Sequence, residues 1–211
     1  MSKESSSRSR KPKRGQTREA LMEAALDLVV KKAPFSSLSL REVTKRAGVV
    51  PTAFYRHFTD MSALGLTLLD ESFRTLRQMM RQVRQENQPN ENMLRGSMET
   101  YFNYVRENRA HFLFVAKELF GGTPTMRNAI RREIRMFTNE LAMDMARFPF
   151  LNHLSAEDLQ MMAGLVVNNV TALTQEMLEL EESDTFGQQE VLGTAEKQLR
   201  LIFLGVGQWK S

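Results

Sequence analysis

The stretch SLREVTKRAGVVPTAFYRHF, residues 39–58, constrains this chain more than any other. Ser39 with Glu42 three residues later is the pattern of a capping box. In it, hydroxyl and carboxylate each take an amide hydrogen left unpaired at a helix start. A helix therefore begins near residue 40, with Leu40, Val43 and Ala47 on one face. Gly48 stands where the residue after a helix needs a positive φ, which glycine adopts at little steric cost. Pro51 suits the first turn of a following helix, where its missing N–H is not needed. That helix, over about 51–57, buries Phe54 and Phe58 and leaves Thr52, Tyr55, Arg56 and His57 polar and available. A short helix anchored on its aromatic side, with its N-terminal end exposed, fits the major groove of DNA. An ordinary helical hairpin in a bundle shares the periodicity but does not call for that cluster of hydrogen-bonding side chains.

Charge separates along the chain in the same sense. Residues 1–58 hold 13 Lys/Arg against 5 Asp/Glu, a net of +8, while residues 59–211 carry a net of −4. Such a split is expected when one end meets a polyanion and the other does not. Residues 1–16 hold no apolar residue after Met1 and are predicted to be a disordered basic arm. Arg8, Arg10, Lys11, Lys13 and Arg14 of that arm have two readings: a solvated tail, or an arm that follows the DNA backbone or enters the minor groove.

Beyond the arm, apolar positions recur at helical spacing nearly to the end, with no run of strand alternation. The pattern predicts an all-α fold of about nine helices. The first runs from Thr17, as N-cap, to Lys32 and stops at Pro34. Two short helices cover 40–47 and 51–57, and a long fourth helix starts after Asp60 and ends near Gln85, before a turn at 86–92. Later helices fall at about 92–107, 109–119, 125–146, 156–181 and 187–206, with Ser155 and Asp158 capping the eighth.

Several function classes are excluded or unsupported. The chain has no cysteine, so disulfides, thiolate metal sites and cysteine nucleophiles are absent. His57, His111 and His153 are far apart and form no metal-binding pattern. No G-x-S-x-G, P-loop or G-x-G-x-x-G occurs, so neither an enzyme nor a cofactor is predicted. No apolar run approaches a membrane span, and a cytoplasmic location is expected.

The motifs F-x-x-L-S-L-R-E-V, A-G-V and F-Y-R-H-F resemble the TetR family of bacterial one-component regulators. The resemblance implies an N-terminal three-helix DNA-binding domain at 17–58 and a ligand-binding, dimerising domain at 59–211. It implies DNA contacts from Tyr55 and His57 to phosphate, from Thr52, Ala53 and Arg56 to bases or phosphate, and from Arg41 and Thr44 on the supporting helix. Many members place a lysine near the start of the fourth helix, where this chain has Thr59-Asp60-Met61-Ser62. Asp60 can cap that helix but does not favour phosphate, so no contact is assigned there. The last two helices of the family pair with their twofold mates, which implies a homodimer on a palindromic, double-stranded operator.

The larger segment holds 12 of the 14 methionines and many phenylalanines, which suits either an adaptable apolar pocket or an ordinary core. PFSSLSLREV, VPTAFYRHF, LGLTLLDES and LRQMMRQ resemble the TetR subgroup that controls unsaturated fatty-acid synthesis and desaturation genes. That resemblance implies a long-chain acyl-CoA effector. Phe102, Phe112 and Phe137 are then candidates for its apolar wall. Arg127, Arg131 and Arg135, spaced i, i+4, i+8, are candidates for a phosphate-bearing head group. A different hydrophobic effector, or a ligand-independent architectural DNA-binding protein, stand as alternatives.

Overall fold

The computed structural model describes residues 14–86, 93–206 and 209. Among these residues the fold is all-helical. The α-helices are α1 (Arg14–Lys31), α2 (Leu40–Arg46), α3 (Pro51–Phe54), α4 (Met61–Glu86), α5 (Met93–Glu107), α6 (Arg109–Gly121), α7 (Pro124–Met145), α8 (Ala156–Glu179) and α9 (Thr185–Val206). Two 3-10 turns, η1 (Phe35–Ser37) and η2 (Pro149–Leu151), join them. Arg8, Arg10, Lys11 and Lys13 of the basic arm lie outside the described residues. The predicted turn at 86–92 lies outside them beyond residue 86.

The first helix starts earlier than its sequence predicts. Thr17 is not its N-cap but a buried residue within it, and residues 14–16, assigned to the arm, are helical. The reason is register: Thr17 lies one turn before Leu21, on the stripe that continues through Ala25 and Val29, all three fully buried. At the other end, Pro34 cannot continue the helix and becomes the N-cap of η1.

The turn between α2 and α3 follows from its residues. Ser39 Oγ accepts from the Glu42 amide at 3.2 Å, and the Ser39 amide donates to Glu42 Oε2 at 3.0 Å. Gly48 has φ 67°. Its amide donates to Lys45 O, and the Val49 amide donates to Thr44 O at 3.0 Å. These two bonds are the pair of a Schellman motif, which uses the carbonyls that a helix end leaves free. The α3 helix proper ends at Phe54. Residues 55–57 tighten into i→i+3 bonds, His57 N to Phe54 O at 2.9 Å among them, so the element is shorter than predicted. Asp60 Oδ1 accepts from the Ala63 amide at 2.7 Å and caps α4.

Three apolar clusters form the interior. The first joins Leu21, Ala25 and Val29 of α1, Val43 of α2 and Phe54 of α3 to Leu64 and Leu68 of α4, Phe114 of α6 and Ile130 of α7. The second packs Phe102 and Val105 of α5 against Leu173 and Met177 of α8 and Leu192, Ala195 and Leu199 of α9. The third gathers Met145, Leu151, Leu159, Ala163 and Val206 at the far end. The first cluster is continuous across residue 58. The α1–α3 unit therefore shares its core with α4, α6 and α7, and the rings of Phe35 in η1 and Phe114 in α6 meet edge to face at 5.6 Å.

Candidate nucleic-acid interface and effector cleft

Phe54 and Phe58, both buried with ring centroids 5.6 Å apart, fix the orientation of the α3 element. The opposite side faces outward. Tyr55 is 63% exposed, Thr52 and Arg56 are exposed, and Ala53 and His57 are half-buried. Among the described residues, no intramolecular hydrogen bond or ion pair occupies the side chains of Thr52, Arg56 or His57, or the Tyr55 hydroxyl. Their polar atoms are presented to solvent.

The supporting helix divides its cations. Lys31 and Arg46 both close on Asp27, at 2.6 and 2.5 Å, and hold its carboxyl below the usual range. Lys32 reaches Glu42, whose carboxyl is pulled down to about 2 by the Ser39 amide and hydroxyl and then by Lys32. Arg41 is exposed and has no ion pair among the described residues. Lys45, one turn further along α2, is also exposed, with no ion pair among the described residues. It stands at i+4 from Arg41, on the same face of the helix. Thr44, the other residue assigned to DNA on this helix, is placed differently. It is 2% exposed, and its hydroxyl donates back to Leu40 O at 2.9 Å, with Arg41 O at 3.2 Å. Its side chain packs inward and offers no atom to a ligand.

The residues assigned to a ligand do not assemble as one set. Arg131 and Arg135 line an open cleft of about 460 Å³ with Leu119 and Phe120 from α6, Ile134, and Asn168 and Thr171 from α8. Neither arginine has an ion pair among the described residues. Arg127 does not join them, because its guanidinium turns back to donate to Gly122 O at the α6–α7 turn. Phe112 lines a separate, small cavity of about 40 Å³ with Phe73, Tyr104 and His111. Phe137 packs on Phe73 at 5.8 Å and beneath Arg77, and Phe102 is buried in the second cluster. Phe102 is a core residue and Phe137 a half-buried one packed against the first cluster, since helical periodicity marks an inward face without telling wall from filling.

In the small cavity the Ser72 hydroxyl donates to Leu68 O at 2.8 Å and shares a hydrogen bond with His111 Nδ1 at 2.8 Å. Burial pushes the His111 imidazole down, so its neutral form is favoured. On the outer side, Met161 and Leu165 of α8 and Leu201 and Leu204 of α9 are exposed apolar residues. No helix of the described residues is long and apolar enough to cross a membrane.

Comparison with solved structures gives the same architecture. The fatty acid degradation regulator FadR from Bacillus halodurans aligns over 90% of this chain and 96% of its own, at 16% identity and TM-score 0.67. FadR from Bacillus subtilis, solved in complex with stearoyl-CoA, aligns over 87% and 96%, at 12% identity and TM-score 0.63. A TetR-family regulator from Syntrophomonas wolfei aligns over 90% and 97%, at 10% identity and TM-score 0.73. At these identities the likeness is one of fold. The sequence itself matches the bacterial regulatory proteins of the tetR family over residues 21–66 and the tetracyclin repressor-like C-terminal domain over residues 90–205. The chain belongs to the TetR family of bacterial transcriptional regulators.

Proposed function

We propose that this protein is a cytoplasmic, sequence-specific repressor, acting as a homodimer on a palindromic operator, with a long-chain acyl-CoA as effector and lipid genes as targets. The observation that carries the DNA-binding part is the outward set Thr52, Tyr55, Arg56 and His57, held on buried Phe54 and Phe58. In this reading residues 17–58 meet DNA, with Ala53 close to the bases and Arg41 and Lys45 on phosphates. The basic residues Arg8, Arg10, Lys11, Lys13 and Arg14 follow the backbone. Residues 59–211 bind the effector and dimerise through α8 and α9, where the exposed apolar residues Met161, Leu165, Leu201 and Leu204 support a self-complementary face.

The acyl-CoA reading is supported by the cleft, which has the size of a small-molecule site and pairs apolar walls with two unneutralised arginines. The stearoyl-CoA bound to Bacillus subtilis FadR supports the same class of effector. An effector acts by its differential affinity for two states of the dimer, typically about 1–3 kcal/mol. The test is selection of an operator from random DNA, then binding with saturated and unsaturated acyl-CoAs added in turn. A footprint with dyad symmetry that shifts with an acyl-CoA is the expected result. Sequence-specific binding untouched by any chain length rejects the lipid effector, and binding without sequence preference rejects the repressor.

A further inference from the structure

We propose that Lys117 and Glu118, neighbours on α6, are positioning residues that clasp the α1–η1 connection and set the DNA-reading helices in place. This rests on the reading of residues 39–58 as the DNA-binding unit.

Each residue takes a backbone group that the connection cannot satisfy by itself. The last four carbonyls of a helix lack intrahelical partners. In α1 the Leu28 carbonyl is taken by the Lys32 amide. The next one, Val29 O, accepts from Lys117 Nζ at 2.6 Å, and a cation is favoured at this end of a helix. Across the connection η1 begins after Pro34, which makes no side-chain cap bond. Glu118 supplies the missing acceptor, its Oε1 taking the Ser36 amide at 3.3 Å. Two consecutive residues of one helix thus hold both sides of a bend that ends in Ser39, the cap of α2.

Glu118 is costly to keep where it is. It is 0% exposed, and its Oε2 has no hydrogen-bond partner among the described residues. Burial pushes its carboxyl up, against the pull of the Ser36 and Phe35 amides. The backbone folds tightly around it. A Cβ on Gly122 would fall 2.6 Å from Oε2 and 2.4 Å from Glu118 O, so only glycine fits there. A solvated face or a plain core position needs no such carboxylate. A buried group left half-satisfied calls for a role that stability alone does not give it.

The clasp also sits where an effector acts. Val115 lines the small cavity, and Leu119 and Phe120 line the cleft. Pocket-lining residues therefore flank the clasping pair on both sides within two turns of α6. Any ligand that turns or slides this helix carries both contacts to α1 and η1 with it.

The test uses the full-length chain, an operator selected with the native protein, and the variants Lys117→Met, Glu118→Ala and Glu118→Gln. Operator affinity and amide hydrogen exchange over residues 32–38 are measured for each. Lys117→Met and Glu118→Ala are expected to lose tenfold or more in operator affinity and to exchange several-fold faster over 32–38, at native helix content. Glu118→Gln, which keeps an acceptor oxygen for Ser36, is expected to recover affinity to within threefold of native. Folded Lys117→Met or Glu118→Ala with affinity within twofold of native and unchanged exchange overturns the clasp, as does equal loss in the Gln and Ala variants. If Glu118→Ala does not fold, Lys117→Met, at a half-buried position and of similar stem length, decides alone. If the native chain selects no operator, the DNA-binding reading fails separately, and the exchange rates still decide whether α6 holds the connection.

Discussion

The Ser39 hydroxyl and the Glu42 carboxylate lie 2.8 Å apart across the first turn of α2, and the two residues also exchange backbone bonds. Glu42 ionises well below its ordinary range, at about 2, so its contribution is present above the unfolded carboxyl value near 4.5. That contribution fades as pH falls from there through about 2. Denaturant titrations of native protein and Glu42→Gln are expected to differ most above pH 5 and to converge near pH 2. Ser39→Ala is expected to lose about 1 kcal/mol at neutral pH.

Gly48 is the only residue with positive φ among those described. Gly48→Ala forces a Cβ into the left-handed region and is expected to cost about 1–2 kcal/mol. Gly48→Asn, better tolerated there, is expected to cost less. Equal midpoints for both variants in thermal unfolding count against the Schellman turn as the determinant.

Phe54 and Tyr55 are neighbours with opposite duties. Phe54→Ala, at a fully buried ring, is expected to cost about 3–5 kcal/mol of stability. Tyr55→Ala is expected to change stability by less than about 0.5 kcal/mol while weakening operator binding. Arg56→Gln is expected either to relax base preference or, if it meets phosphate, to lower the salt slope of binding by about one. Calorimetry and binding titrations at several salt concentrations separate these outcomes.

In the cleft, Arg131→Ala and Arg135→Ala are expected to leave the melting temperature unchanged and to weaken acyl-CoA binding. Arg127→Ala is expected to do the reverse, since its guanidinium is spent on Gly122 O. Isothermal titration with palmitoyl-CoA and oleoyl-CoA reads both. An effect of Arg127 alone on affinity contradicts this division.

Leu201 and Leu204 of α9 are 72% and 65% exposed. Leu201→Glu with Leu204→Glu is expected to give a folded monomer by sedimentation, with operator affinity lowered because two half-sites no longer bind together.

What was legible in the sequence is what short-range chemistry decides. The capping box, the Gly48 turn and the Asp60 cap each involve residues within five positions of one another, and all three are present. The inward turn of Thr44 was not legible, because a hydroxyl that bonds back to its own helix looks the same in sequence as one that points outward. Arg127 shares its helix face with Arg131 and Arg135 in the periodic pattern, but a turn five residues earlier captures it. Phe102 and Phe137 show the limit of composition, since apolar periodicity is the same for a cavity wall and a filled core. The contacts of Lys117 and Glu118 span 88 and 82 residues, and no local pattern announces them.

The first apolar cluster carries a consequence for engineering. Phe114 and Ile130 belong to the same cluster as Leu21, Val29 and Phe54. A fragment ending at residue 58 would carry an open, greasy base into water and is expected to clump rather than fold. Grafting this reading head onto another sensor therefore requires transplanting the matching faces of α4, α6 and α7 with it, so the natural seam for a chimera runs through the larger half of the chain.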